Sequence, residues 1–136
     1  MTRAALSRSL ALAATLVAGA CSSTPDTLLE SDIPVPPDMV VRYSTDIRRE
    51  GSTLTGGDFL LAGSVEHLQK SVDTTVERFT SAGWKETSRQ MQWALAVLEF
   101  SKGPRTCRVE IDARRVDPRM SKTVMRVAVA TAPAKS

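Results

Sequence analysis

Apolar and polar side chains alternate over residues 39–49, with Val41, Tyr43 and Ile47 set against Arg42, Ser44, Asp46 and Arg48. A period of two marks a half-buried strand. Residues 50–57 contain Gly51, Gly56 and Gly57 and read as a turn or irregular hairpin. Residues 58–63, with Phe59-Leu60-Leu61-Ala62 at their centre, read as a short apolar strand. The period then changes. Val65, Leu68, Val72, Val76 and Phe79 recur at helical spacing, which predicts one amphipathic helix over residues 64–82. Ser64 is its predicted N-cap, and Glu66 falls in the first turn, where the helix dipole favours an acid. Gly83 suits the left-handed position after the helix, so that Trp84 folds back on the last turn. The polar side mixes Glu66, Lys70, Asp73, Glu77 and Arg78, so the stripe reads as core and not as a basic membrane face.

Four further strands follow. Residues 85–92 are polar and suit an edge. Residues 93–101 carry Ala94, Ala96, Leu98 and Phe100 in phase. Residues 106–114 alternate Cys107, Val109, Ile111 and Ala113 with Arg108, Glu110, Asp112 and Arg114. Residues 122–131 hold Met125, Val127 and Val129 in phase. The connections are short, which favours antiparallel neighbours. The expected fold is therefore a two-layer α+β domain in the order β-β-α-β-β-β-β: an antiparallel sheet of five to six strands with one helix on one face. This domain spans residues 38–131, with a disordered tail at 132–136. The sheet's other face is expected to carry Arg42, Arg108, Glu110, Asp112 and Arg126.

Two stretches precede the domain. Residues 22–37, with Pro25, Pro34, Pro36 and Pro37, read as a semi-rigid spacer. Fully extended at ~3.1 Å per residue it reaches roughly 50 Å, less if Leu28, Leu29 and Ile33 dock on the domain. Residues 1–20 have Arg3 and Arg8 in a flank without acids, an apolar run over residues 10–18 broken only by Thr15, and the small pair Gly19-Ala20 before Cys21. That is the pattern of a secretory signal, and the run is too short to cross a bilayer.

Val17-Ala18-Gly19-Ala20-Cys21 resembles the lipobox of bacterial lipoproteins, with Ala18 where many lipoboxes carry Leu. The resemblance implies a diacylglycerol on the Cys21 thiol, cleavage before Cys21 and acylation of the new amino terminus. Two or three acyl chains, at ~0.8 kcal/mol per buried CH₂, would make a stable anchor. Ser22 follows the cysteine, where an aspartate retains enteric-type lipoproteins in the inner membrane. By that analogy a Gram-negative host would hold the protein in the outer membrane, facing the periplasm. The plan of lipobox, proline-containing linker and helix-on-sheet domain is similar to that of small envelope lipoproteins, among them lipoprotein subunits of the outer-membrane β-barrel assembly machine. It transfers no site residue beyond Cys21.

Cleavage changes the charge and the cysteine count. The 18 basic and 15 acidic residues become 16 and 15 once Arg3 and Arg8 are removed, so a basic precursor leaves a near-neutral mature chain. Nucleic acid is accordingly not an expected partner. A thioether at Cys21 leaves Cys107 as a lone thiol, which in an oxidising compartment is expected to be buried.

The residues offer little chemistry. His67 is the one histidine and there is no CxxC, so no zinc site is expected. Cys107 lies in phase with Val109 and Ile111, which reads as core and not as a nucleophile. Neither a GxSxG elbow nor a phosphate-binding glycine loop occurs. Arg108, Arg114, Arg115, Arg119, Lys122 and Arg126 form the densest basic group and suggest contact with anionic lipid heads or acidic polymers. The expectation is a non-enzymatic lipoprotein without cofactor, bound to a bilayer through Cys21 and to a protein partner at a sheet edge or face. The alternative is a small-ligand-binding or hydrolytic envelope domain that uses the open sheet face.

Overall fold

A two-strand hairpin, a three-strand meander and a returning strand build the sheet. The structure, a computed structural model, describes residues 26–130. Its strands are β1 (Met39–Glu50), β2 (Thr53–Gly63), β3 (Lys85–Gln92), β4 (Leu95–Lys102), β5 (Arg105–Asp112) and β6 (Ser121–Val129), with one helix, α1 (Leu68–Ser81), between β2 and β3. All six strands form one sheet in the order β1-β2-β6-β5-β4-β3, so β6 returns to fill the gap between β2 and β5. Every pairing is antiparallel, and α1 packs against β3 and β4 on one face. This is the α+β architecture expected, with six strands.

The helix stripe goes where its spacing sends it. Val72 and Phe79 are buried, and Leu68 and Val76 pack against the core from its margin. The ring of Phe79 stacks on Phe100 of β4 at 4.0 Å between centroids and meets Trp84 edge-on at 5.9 Å. The helix ends as expected. Gly83 takes φ 87°, and the amides of Gly83 and Trp84 donate to the carbonyls of Thr80 and Phe79. Its start differs from the expectation. The helix begins at Leu68 with His67 in the N-cap position, so Ser64 is no cap and Glu66 lies outside the first turn. The reason is tertiary: the amides of Ser64 and Val65 donate to the carbonyls of Asp38 and Pro118, which keeps both residues out of the helix.

The first hairpin also departs from its pattern. β2 begins at Thr53, so Gly56 and Gly57 lie inside a strand and not in a turn. A Cβ on Gly57 would come within 2.8 Å of the Phe59 ring, and the residue adopts φ +153°. The glycines there permit close packing, not chain reversal. In β1 a bulge between Val41 and Tyr43 shifts the register. Val41 therefore opposes Leu61 of the core side, while Tyr43 opposes Leu60 and stands exposed on the other face.

The spacer expected over residues 22–37 needs a further correction. From residue 26 the chain is part of the packed body: Leu28, Ile33 and Val35 are buried in the same core as Phe59, Leu98 and Val109. One 14-residue helix cannot cover a face six strands wide, and this segment supplies apolar cover beside it. The signal region, Cys21, the first residues of the spacer and the tail at 132–136 lie outside the described residues.

Candidate functional site

Where β4 turns into β5, a polar cluster locks the N-terminal segment in place. Arg105 points to the helix side of the sheet with only 10% of its side chain exposed. Its guanidinium donates to both carboxylate oxygens of Asp32, at 2.8 and 2.6 Å, and to the Leu54 carbonyl at 3.2 Å. It also lies 4.9 Å from the centre of the Trp84 ring. Lys102 Nζ donates to Asp32 Oδ2 and to the Ala82 carbonyl, and Trp84 Nε1 donates to the Asp32 carbonyl. The hydrogen bond from Arg105, aided by that from Lys102, outweighs desolvation and holds the Asp32 carboxyl far below the usual carboxylate range. Asp32 in turn raises the pKa of Arg105. Each charge here is spent on another, which makes the cluster a clasp and not a reactive centre.

The residues singled out for chemistry lie apart. Cys107 is buried on β5 between Phe100 and Val127, and desolvation pushes its thiol up to about 12. It is therefore a protonated, unreactive group at neutral pH. His67 sits exposed at the opposite end, beside the first turn of α1. Among the described residues no three His, Cys, Asp or Glu side chains come close enough together to hold a metal ion. No helix among them is long and apolar enough to cross a membrane.

The face away from α1 carries two cross-strand rows. One runs Tyr43, Leu60, Val124, Glu110, Val97 and Gln90 from β1 to β3. The next runs Asp58, Arg126, Arg108, Glu99 and Ser88. In it Arg126 Nε donates to Asp58 at 2.7 Å, and Arg108 reaches Glu99 at 3.3 Å and Glu110 at 3.5 Å. Of the charges expected on this face, Arg108 and Glu110 thus pair with each other and Arg126 pairs with Asp58, while Asp112 forms no ion pair among the described residues. Arg42 is the bulged residue of β1 and has no partner opposite in β2.

The rest of the basic group singled out in the sequence gathers at the end where β3 turns into β4 and β5 into β6. Arg114, Arg115, Arg119 and Lys122 cluster there, whereas Arg108 and Arg126 belong to the open face, so the basic group seen in sequence is two groups. Beside them Trp93, Val116 and Met120 are 84%, 101% and 62% exposed. The loop is braced from within: Ser121 Oγ donates to the Pro118 carbonyl at 2.7 Å and accepts from the Arg114 amide at 3.0 Å. The Ala113 amide donates to the Ala94 carbonyl at 2.8 Å, which ties this loop to the Trp93 turn.

No protein family, curated protein or solved structure matches the chain. Its functional reading therefore rests on its own residues. Sequence reasoning missed two features, the Asp32 clasp and the exposed Trp93 end. The second had a signal. Trp93 has the parity of Leu95 and Val97, opposite to that of Ala94, Ala96, Leu98 and Phe100, so a strand through it would have turned the indole away from the core. The clasp had none, since nothing local links Asp32 to a residue 73 positions away.

Proposed function

We propose that the chain is a lipid-anchored lipoprotein of the cell envelope whose α+β domain serves as a non-catalytic binding or scaffolding module. In a Gram-negative host it would sit in the outer membrane, facing the periplasm. The lipobox-like Val17–Cys21 run proposes the anchor, and one structural observation supports its use: the chain is fastened into the domain from residue 26 onward. Cys21 is then separated from the packed body by five peptide steps, no more than about 18 Å. An acyl group on Cys21 would hold the domain close against a bilayer, not far out on a stalk. A protein partner would meet the edge of β1 or β3, or the open face along Tyr43, Leu60 and Val124.

The test is Cys21→Ser in the native envelope, followed with a labelled fatty acid and by membrane fractionation. The expected result is loss of label, poor processing and release from the membrane fraction. Label and membrane retention that persist in the variant would end this reading.

A further inference from the structure

Trp93 stands where a tryptophan contributes little to the fold. It occupies the tip of the β3–β4 turn at φ 55°, a left-handed conformation that turns ordinarily reserve for Gly or Asn. The indole is 84% exposed, so it gains nothing from the core in return. Val116 and Met120 are exposed at the same end of the sheet, at 101% and 62%. Between them lie Arg114 and Arg115. These two line a recess of about 430 Å³ shared with Trp93 and the start of α1, and a second of about 350 Å³ shared with Val116, Met120 and Lys122. Among the described residues Arg114, Arg115 and Lys122 form no ion pair, while Arg119 is paired with Asp117 at 3.2 Å. The acids nearby are Asp112, opposite Lys122 across the strands, Glu66 at the rim of the larger recess, and Asp117, which lines the smaller recess and is taken up by Arg119. The cations stay in excess.

We propose that this end of the domain is a docking surface for an anionic phospholipid bilayer. Trp93, Val116 and Met120 enter the headgroup layer, and Arg114, Arg115 and Lys122 engage lipid phosphates. The excess of unpaired cations beside single exposed apolar side chains carries the argument. An anionic leaflet attracts Lys and Arg to its surface, and its headgroup layer accepts an indole and a phosphate contact side by side. The bonds from Ala113 to Ala94, Arg114 to Ser121 and Val65 to Pro118 hold the turn, the loop and the start of α1 together. The surface is therefore formed before it meets a membrane.

The proposal stands on this end of the fold and does not require the anchor. Its test uses the full chain with Cys21→Ser, mixed with vesicles of phosphatidylcholine alone or containing phosphatidylglycerol. Trp84 is buried, so the difference in fluorescence between this chain and its Trp93→Phe derivative reports Trp93. On phosphatidylglycerol vesicles we expect a blue shift of that emission and its quenching by brominated lipid, weakened by added salt. Replacing Arg114 and Arg115 together by Gln should lower vesicle affinity about thirtyfold, from ~1 kcal/mol per cation. Trp93 emission that is unchanged on anionic vesicles overturns the proposal, as does equal quenching on phosphatidylcholine or in the double variant. Failure to find fatty acid on Cys21 would remove the anchor and leave these results standing. Unquenched Trp93 in a chain whose Cys21 is acylated would remove this surface alone.

Discussion

At the end of the sheet where β4 turns into β5, Asp32 bridges Lys102 and Arg105, and Phe79, Trp84 and Phe100 pack beneath them. At the opposite end, Arg114, Arg115 and Lys122 carry charge with no ion pair among the described residues, and Trp93, Val116 and Met120 carry apolar surface with no cover. Both ends contain arginine, tryptophan and a tight turn. What separates them is satisfaction: one end has used its valences on itself, and the other holds them open. A saturated cluster stabilises a fold, while an unsaturated one of the same composition is available to a partner. Substitutions should therefore divide by end, with stability lost at the first and binding lost at the second.

The sharpest cut at the closed end is Asp32→Asn. It leaves the Arg105 guanidinium nearly buried without its counter-charge. Removing one partner of a fully buried pair costs about 3–5 kcal/mol. Asp32 keeps 36% of its side chain exposed, so water relieves part of that, and a loss of about 2 kcal/mol is expected. Urea unfolding measures it. The same group sets an acid limit. Its folded pKa lies below the unfolded value, so its contribution is complete above about pH 4 and is lost as pH falls below that. The Asn variant should lack that part of the acid slope. Wild-type stability for Asp32→Asn would show that the N-terminal segment is held by its apolar residues alone.

Cys107 tests the interior between the two ends. Burial raises the thiol, so the fold favours the protonated form, and the sign is opposite to that of Asp32. Its contribution is complete below pH 9.0, the ordinary value, and is lost as pH rises from there towards the folded value. At one unit above the ordinary value the loss is about 1.4 kcal/mol, and Cys107→Ala should not show it. Alkylation of the native chain should be slow, at a rate set by opening of the sheet and not by exposure. Rapid labelling at neutral pH would mean that β5 is not the protected centre of the sheet.

How far the sequence anticipates these features depends on how local their causes are. The α1 stripe and the alternation of β4, β5 and β6 have periods of three to four and of two, and both element types and the fold class follow from them. The phase of β1 was not legible, because one bulged residue, Arg42, reverses the side on which Tyr43 stands. The start of α1 was not legible either, because backbone bonds to Asp38 and Pro118 overrule a good capping residue at Ser64. Residues 26–37 look like a proline spacer by composition. Their docking depends on Arg105, Trp84 and Lys102, which reach Asp32 from positions that no local pattern connects. The basic group near the C-terminus was visible as composition, but its division between a paired sheet face and an unpaired end required the register of β5 with β6.

The smallest stability effect expected is also the one that separates the two ends most cleanly. Trp93→Gly removes a large exposed side chain and relieves a left-handed backbone angle, which favours the folded state by roughly 1–2 kcal/mol. The greater freedom of glycine in the unfolded chain offsets part of that gain. Thermal unfolding should therefore show a midpoint that is unchanged or slightly raised. Vesicle binding should fall in the same variant. A residue whose removal leaves the fold as stable or more so, while it weakens attachment to a surface, is kept for what it touches. If Trp93→Gly instead unfolds the chain readily, the indole is holding the turn against the start of α1, and the open end is closed by contacts of its own, as the other end is.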